Sequence, residues 1–155
     1  MSTEERIAKL TTELNASRWK LTGQKILLEQ AEGALKSEQR KVGEIDHMLP
    51  QVENALTQLW NVSEAVEREA AGLGGDSGFL QGASHSLRKE IHDIVMEKYT
   101  HLEYLRNRLR TLRSQSNIQD LMSNVSGLKN NVESLETTIS ESSSMIAYLK
   151  QNPEN

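Results

Sequence analysis

The histidines are the side chains of this chain that are best suited to metal binding or acid–base chemistry. They are His47, His85, His92 and His101. A zinc site on a helix needs a second histidine or a carboxylate three or four residues away, because that spacing puts both side chains on one face. The positions three and four residues after His92 and His101 hold apolar or aromatic side chains. We therefore predict surface or interhelical histidines that bind no metal.

Residue types that support covalent catalysis or phosphate binding do not occur here in the required patterns. The chain has no cysteine, and no serine stands in a Gly-x-Ser-x-Gly turn that would expose a nucleophile. The glycine-rich stretch 72–78 lacks the Lys-Ser/Thr pair of a phosphate-binding loop, and it follows a helical pattern rather than a strand. These observations predict a protein that is not an enzyme and binds no cofactor.

Charge and hydropathy argue against two further classes of function. The net charge is −4, so we expect no nucleic-acid binding, which requires a basic face. No apolar run approaches the ~20 residues of a membrane span, and the polar first residues lack the apolar segment of a signal peptide. We expect a cytoplasmic protein, or one that leaves the cell with its partner by a route independent of a signal peptide.

Long helices are predicted to position these side chains, because apolar residues recur every seven positions. In the first half the a positions are Ile7, Leu14, Leu21, Leu28, Leu35, Val42, Leu49 and Leu56. The d positions are Leu10, Ser17, Gln24, Ala31, Glu38, Ile45, Val52, Leu59, Val66 and Leu73. The a and d positions together form the apolar stripe along which two helices pack, which we call the seam. The polar d residues Ser17, Gln24 and Glu38 have two interpretations: either water reaches this part of the seam, or polar groups of a specific partner contact them.

The bounds of the first helix follow from capping and from glycine. Ser2 and Glu5 match a capping box, which predicts a helix start. Pro50 removes a backbone donor, but the heptad register continues across it, which favours a kinked long helix over a reversal of the chain. Four glycines within residues 72–78 predict the end of this arm.

The second half carries the same repeat with one slip. Its apolar positions are Leu87, Ile91, Ile94, Val95, Leu102, Leu105, Leu109 and Leu112. After residues 114–117 a new register runs through Ile118, Leu121, Val125, Leu128, Val132, Leu135, Ile139, Ser142, Ile146 and Leu149. The slip predicts that the helix stutters or restarts at this point.

Together the patterns predict an all-α fold, namely an elongated antiparallel helical hairpin or coiled coil of two long arms in a single domain. The predicted parts are arm one over about 3–72, a hairpin tip over 72–78, arm two over about 79–150 and a frayed tail over 151–155. Breaks at Pro50 and near Ser116 leave open a three- or four-helix bundle.

Several bulky or charged residues lie outside the seam. Trp19 and Trp60 are expected to pack within the hairpin, the alternative being that they dock another chain. Phe79 is expected to cover the hairpin tip. A basic stripe consists of Arg106, Arg110 and Arg113. We expect this stripe to face solvent, although contact with phosphate or with an acidic partner helix is the alternative.

The middle of the chain carries an ordered set of features that resembles a known class. A glycine turn at 72–78 is followed by Phe79 and Gly82, and then by the Ile-Val-x-x-Lys-Tyr stretch of residues 94–99. This order resembles the LXG-associated small α-helical proteins of the type VIIb secretion system of Gram-positive bacteria. Those proteins are related in layout to Trp-x-Gly secreted helical hairpins, although the Trp-x-Gly turn itself is absent here.

The resemblance implies a helical adaptor, targeting factor or chaperone that binds the helical N-terminal domain of a secreted LXG-type toxin. A second small helical protein is a further implied partner, and a homodimer is compatible with this function. Candidate partner-binding residues are Trp19, Trp60, Phe79, Ile94, Tyr99, Leu128 and Leu135. The alternative function is a structural coiled-coil subunit of a eukaryotic tethering or kinetochore-type complex.

Overall fold

The computed structural model describes the backbone of residues 1–72 and 78–153. The side chains of residues 70, 78–81 and 84 are outside this description. The predicted hairpin tip at 73–77, the predicted cover by the Phe79 side chain and the last two residues of the predicted tail therefore lie outside the described residues.

Three helices make up the described chain. Helix α1 runs over Thr3–Gly72, α2 over Gly78–Ser114 and α3 over Ile118–Gln151. Within residues 1–72 and 78–153 there is no strand. The predicted all-α, hairpin-like fold is confirmed.

Helix α1 starts and continues as its sequence predicts. The Ser2 amide donates to Glu5 Oε2 at 3.0 Å, and the Glu5 amide donates to Ser2 Oγ at 3.1 Å, which is a reciprocal capping box. Pro50 lies inside α1, and the helix extends on both sides of it. The prediction that the chain does not reverse at Pro50 is confirmed.

The slip in the heptad register coincides with a helix boundary. Helix α2 ends at Ser114, and α3 begins at Ile118 after a short break. The Gln115 amide still donates to the Thr111 carbonyl at 3.0 Å, and the Leu121 amide donates to the Asn117 carbonyl at 3.0 Å. The predicted restart of the helix is thus the correct alternative.

The chain divides into two compact units. Unit 1 consists of Met1–Gln39 with Asn117–Asn155, and unit 2 is Arg40–Ser116. Each unit therefore pairs one part of α1 with a later helix, α3 in unit 1 and α2 in unit 2. In unit 2, Glu53 pairs with Arg110, whereas the earlier Asp46 pairs with the later Arg113, so the two helices are antiparallel.

The predicted seam is confirmed along α1 and α3. All predicted a and d residues are buried or half-buried in these two helices, as far as their burial is described. In unit 2 the buried cluster consists of Ile45, Val52, Leu56 and Leu109. No described side chain is less than 2 % exposed. A pair of helices thus leaves some water contact even at its best-packed positions.

Two residues that were predicted to continue the seam of α2 do not do so. Leu87 and Ile94 are exposed, whereas Ile91 is half-buried and Val95 and Leu109 are buried. The physical reason is helical geometry: adjacent residues point about 100° apart on a helix, so only one of the neighbours Ile94 and Val95 can face α1.

The polar d residues of unit 1 remain in the seam. Ser17, Gln24 and Glu38 are half-buried. The Asn131 side-chain amide on α3 donates to Gln24 Oε1 at 3.3 Å. A polar group of the same chain, rather than of a foreign partner, therefore meets the seam at Gln24.

Candidate helix-binding surfaces

Two flanks border the seam of unit 2, and they are built differently. In an antiparallel pair of helices, e positions flank one side of the seam and g positions flank the other. The first flank, which we call the closed face, carries Asp46, Glu53, Trp60, Glu67, His92, Tyr99, Arg106 and Arg113 at its e positions, with Arg110 at an adjoining b position. The second, which we call the open face, carries Lys41, Met48, Ala55, Val62, Glu69, Leu87, Ile94, His101 and Arg108 at its g positions.

Opposite charges join the two helices across the closed face. Arg110 Nη2 lies 2.8 Å from Glu53 Oε1, and Arg113 Nε lies 2.9 Å from Asp46 Oδ1. Both pairs are about half exposed, so each contributes roughly 0.2–1 kcal/mol. Two residues of the basic stripe, Arg110 and Arg113, are thus partly exposed but pair with acidic residues of α1. Arg106 instead lies 3.9 Å from Glu103 on its own helix.

An aromatic pair extends the closed face. The rings of Trp60 and Tyr99 are 6.3 Å apart between centroids and inclined by 57°, a tilted geometry that aromatic pairs favour. Trp60 Nε1 also donates to Glu64 Oε1 at 3.0 Å. Trp60 thus contacts α2 as predicted, but 53 % of its surface remains exposed, so it is only partly packed within the hairpin.

The open face leaves large apolar side chains in water. Val62 and Ile94 are each 53 % exposed, and Met48 and Leu87 are 41 % and 40 % exposed. No ion pair joins two g positions among the described residues of unit 2. Exposed large apolar side chains along one flank of a helix pair make this flank a candidate surface for another protein.

Unit 1 has a hollow beside its seam that is open to a side chain from another helix. Lys25 Nζ lies 3.6 Å from Glu136 Oε1, so the e positions pair here too. On the g side, a hollow on α1 is bordered by Lys20, Gly23, Gln24 and Leu27, and on α3 by Asn131, Ser134 and Leu135. The four α1 residues have the spacing i, i+3, i+4, i+7 that receives one side chain in knobs-into-holes packing. We call this hollow the Gly23 hole.

Gly23 forms the bottom of this hole and has no side chain to fill it. A Cβ atom added at Gly23 would meet nothing within 4 Å, so packing within the chain does not require glycine. A glycine inside a helix costs about 1 kcal/mol relative to alanine. The helical neighbours of Gly23 that surround it include exposed Trp19, Ile26 and Leu27. The hole is therefore bare at its floor. Its lining is polar except for Leu27 and Leu135, and the exposed side chains of Trp19 and Ile26 lie beside it on the outer surface of α1.

Trp19 departs most from its predicted role. It is 80 % exposed, so the expectation that it packs within the hairpin is wrong. Trp19 occupies an f position, opposite the seam, where α3 cannot reach it. Together with Ile26, seven residues later at the next f position, it forms an apolar stripe on the outer surface of α1.

The other predicted partner-binding residues fall into two groups. Tyr99 packs on the core cluster of unit 2, and Leu128 and Leu135 are half-buried in the seam of unit 1. Ile94 lies exposed on the open face. Of these predicted residues, Leu135 borders the Gly23 hole.

Sequence reasoning missed the floor of the hole and most of its rim. Gly23, Ile26 and Leu27 lie between seam positions, where the heptad pattern assigns no role. A signal was nevertheless present, since a glycine stands between Trp19 and Leu27 in a row of spacing i, i+4, i+8. Large apolar residues around a glycine on an outer helix surface predict a receptive site.

Metal and membrane binding were also considered on the described residues. Among residues 1–72 and 78–153, no three His, Asp or Glu side chains lie close enough together to hold a metal ion. In the same part of the chain, no helix combines the length and the apolar content needed to cross a bilayer.

The chain was compared with known families, proteins and structures. No family model matches it, and neither the curated proteins nor the solved structures give a match.

Proposed function

We propose that the protein is a non-catalytic helical adaptor that binds a helix of a larger client protein at the Gly23 hole. The observation that carries this proposal is the open space above Gly23 on a helix surface where Trp19, Ile26 and Leu27 are exposed. A glycine that the chain itself does not need, at a helical cost of about 1 kcal/mol, is explained if a side chain from another helix occupies the space.

The physical gain from such binding is the removal of apolar surface from water. Each Å² of apolar surface that is covered contributes roughly 25 cal/mol, and an aromatic side chain such as Trp19 offers a large area. Trp19 and Ile26 lie on one side of Gly23, and Leu27 lies on the other. A client helix that places a large apolar side chain over Gly23 would contact all three.

Charge at the rim specifies the client helix further. Lys20 borders the hole, and Arg18 stands next to Trp19 in the neighbouring hollow formed by Asn15, Arg18, Trp19 and Thr22. Two cations beside an apolar site favour a client helix that carries Asp or Glu next to its apolar anchor. Helix-in-groove recognition commonly combines these two features.

The resemblance described above supplies the class of client that we propose. It is the helical N-terminal domain of a secreted LXG-type toxin, for which the protein would act as a targeting factor or chaperone. A client that is itself a helical domain suits a receptive site made of helix surface, which supports this choice.

The proposal is tested by a search of the source genome for LXG-domain proteins and by co-purification with each one found; a genome without any would refute the proposed client. Gly23→Gln fills the hole, whereas Gly33→Gln makes the same change on the same helix among polar neighbours. A Cβ at Gly33 also meets nothing within 4 Å, so both variants should fold. We expect the wild type and Gly33→Gln to retain the client and Gly23→Gln to lose it.

Three outcomes would refute different parts of the proposal. If the wild type retains no LXG-domain protein, the proposed client is wrong. If Gly23→Gln and Gly33→Gln retain it equally, the Gly23 hole is not the binding site. If both variants lose it, the client recognises the whole outer surface of α1 rather than the hole.

A further inference from the structure

The side chains along one edge of α1 in unit 2 are complementary, in charge and in size, to the same side chains read in the opposite order. Its g positions, seven residues apart, are Lys41, Met48, Ala55, Val62 and Glu69. A cation and an anion stand at the two ends, large apolar side chains stand inside them, and alanine stands at the centre. We propose that unit 2 binds a second copy of this chain through this edge, with the two α1 helices antiparallel and Ala55 on the two-fold axis.

The proposed pairing follows from the equal spacing of these residues. In the antiparallel arrangement Lys41 faces the second copy's Glu69, and Met48 faces the second copy's Val62. Two-fold symmetry repeats each contact, because the same patch is used by both copies. A parallel arrangement would instead set Lys41 against Lys41 and Glu69 against Glu69, which costs free energy.

The exposure and the ion pairing of these side chains in the single chain agree with the proposed pairing. Met48 and Val62 are exposed, and the half-buried Ala55 is small enough to let two helices approach closely. Lys41 and Glu69 are exposed and have no ion-pair partner among the described residues. Each end of the edge thus offers a charge without an ion-pair partner among the described residues, and Met48 and Val62 offer exposed apolar surface between them.

The size of the open face suits a dimer. Residues 41–69 of α1 span ~42 Å at 1.5 Å per residue, and two helices side by side are ~20 Å wide. This gives a face of ~800 Å² per copy, which is what a standard protein interface uses.

The inference is tested first by sedimentation equilibrium of the full chain over a wide concentration range. We expect a reversible monomer–dimer equilibrium for the wild type. Lys41→Glu and Glu69→Lys should each weaken the dimer by at least ~tenfold, because symmetry places two like-charge pairs in the interface. The double variant K41E/E69K should return to within ~threefold of the wild type, because both pairs are restored with inverted sign.

A thiol at the centre of the edge tests the position of the two-fold axis. The chain contains no cysteine, so a single introduced thiol can only cross-link one copy to another. Ala55→Cys should form a disulfide-linked dimer under mild oxidation, since the two Cα atoms would lie within disulfide reach. Asn54→Cys, on the outer surface one residue away, should remain uncross-linked.

These measurements do not depend on the client, because the edge lies in unit 2 and the Gly23 hole lies in unit 1. A chain that stays monomeric at every concentration would overturn the inference, and so would a dimer that the single charge reversals leave unchanged. Failure of the double variant to recover would overturn the antiparallel register. Equal cross-linking of Ala55→Cys and Asn54→Cys would overturn the placement of the axis.

Discussion

The closed and open faces of unit 2 flank the same seam and treat equivalent positions in opposite ways. The closed face joins its helices through ion pairs at 2.8 and 2.9 Å and through the Trp60–Tyr99 contact. The open face presents Val62 and Ile94, which are as exposed as Trp60 but have no aromatic or charged contact across the seam among the described residues. Flanking positions of a helix pair usually carry charges that set partner choice. The apolar flank is the side to which we propose that a second chain binds.

Unit 1, considered by itself, repeats the contrast. Its e positions Lys25 and Glu136 pair with each other, whereas Lys20 and Leu27 at its g positions border the Gly23 hole. In each unit the e side is thus held together by charges of the same chain, and the g side is receptive. We infer that one flank stabilises the helix pair and that the other is available to bind a further helix.

The largest expected effect is the loss of stability when a seam residue is truncated, compared with the same change on the open face. Leu56→Ala removes a side chain that is 4 % exposed, so it should lower the free energy of unfolding by about 2–5 kcal/mol. Met48→Ala, on the open face of the same helix, should change it by no more than about 0.5 kcal/mol. Urea denaturation followed by circular dichroism, at concentrations where the chain is monomeric, measures both values. Equal losses would mean that the open face contributes to the core.

A gain in stability is expected at the floor of the Gly23 hole. Gly23→Ala should raise the free energy of unfolding by about 1 kcal/mol, because alanine is the better helix former and its Cβ meets only open space. Gly33→Ala is the matched change and should give a similar gain. Thermal denaturation compares the two variants. A loss at Gly23 alone would show that the folded chain itself needs the glycine.

The smallest expected effect concerns the closed face. A double-mutant cycle with Glu53→Gln and Arg110→Gln should give a coupling energy of about 0.2–1 kcal/mol, because the pair is half exposed. The coupling should decrease as salt is added, since salt screens exposed charges. A coupling energy of zero at low salt would show that the Glu53–Arg110 pair does not stabilise the closed face.

The seam is the part of the fold that the sequence predicts best. A seven-residue repeat maps directly onto one stripe of a helix, so the burial of Leu14, Val42 and Leu56 follows from spacing alone. The slip after Arg113 likewise predicts the boundary between α2 and α3. Both signals are local, which is why no knowledge of the partner helix was needed.

The receptive surfaces were harder to predict, because they depend on how two helices are aligned. Ile94 and Val95 are adjacent and both apolar, and only the position of α1 decides that Val95 is buried. The heptad pattern alone does not reveal which flank is closed by ion pairs, since that requires the pairing of Glu53 with Arg110. Trp19 was misjudged because its f position was given less weight than its size.

The central claim, that a client helix covers the Gly23 hole, is tested most directly by the fluorescence of Trp19. In the variant Trp60→Phe, Trp19 is the single tryptophan of the chain, and it lies one helical turn from Gly23. Addition of the LXG helical domain should shift its emission to shorter wavelength and protect it from acrylamide quenching. A client that binds while the emission and the quenching of Trp19 stay unchanged would contradict the claim.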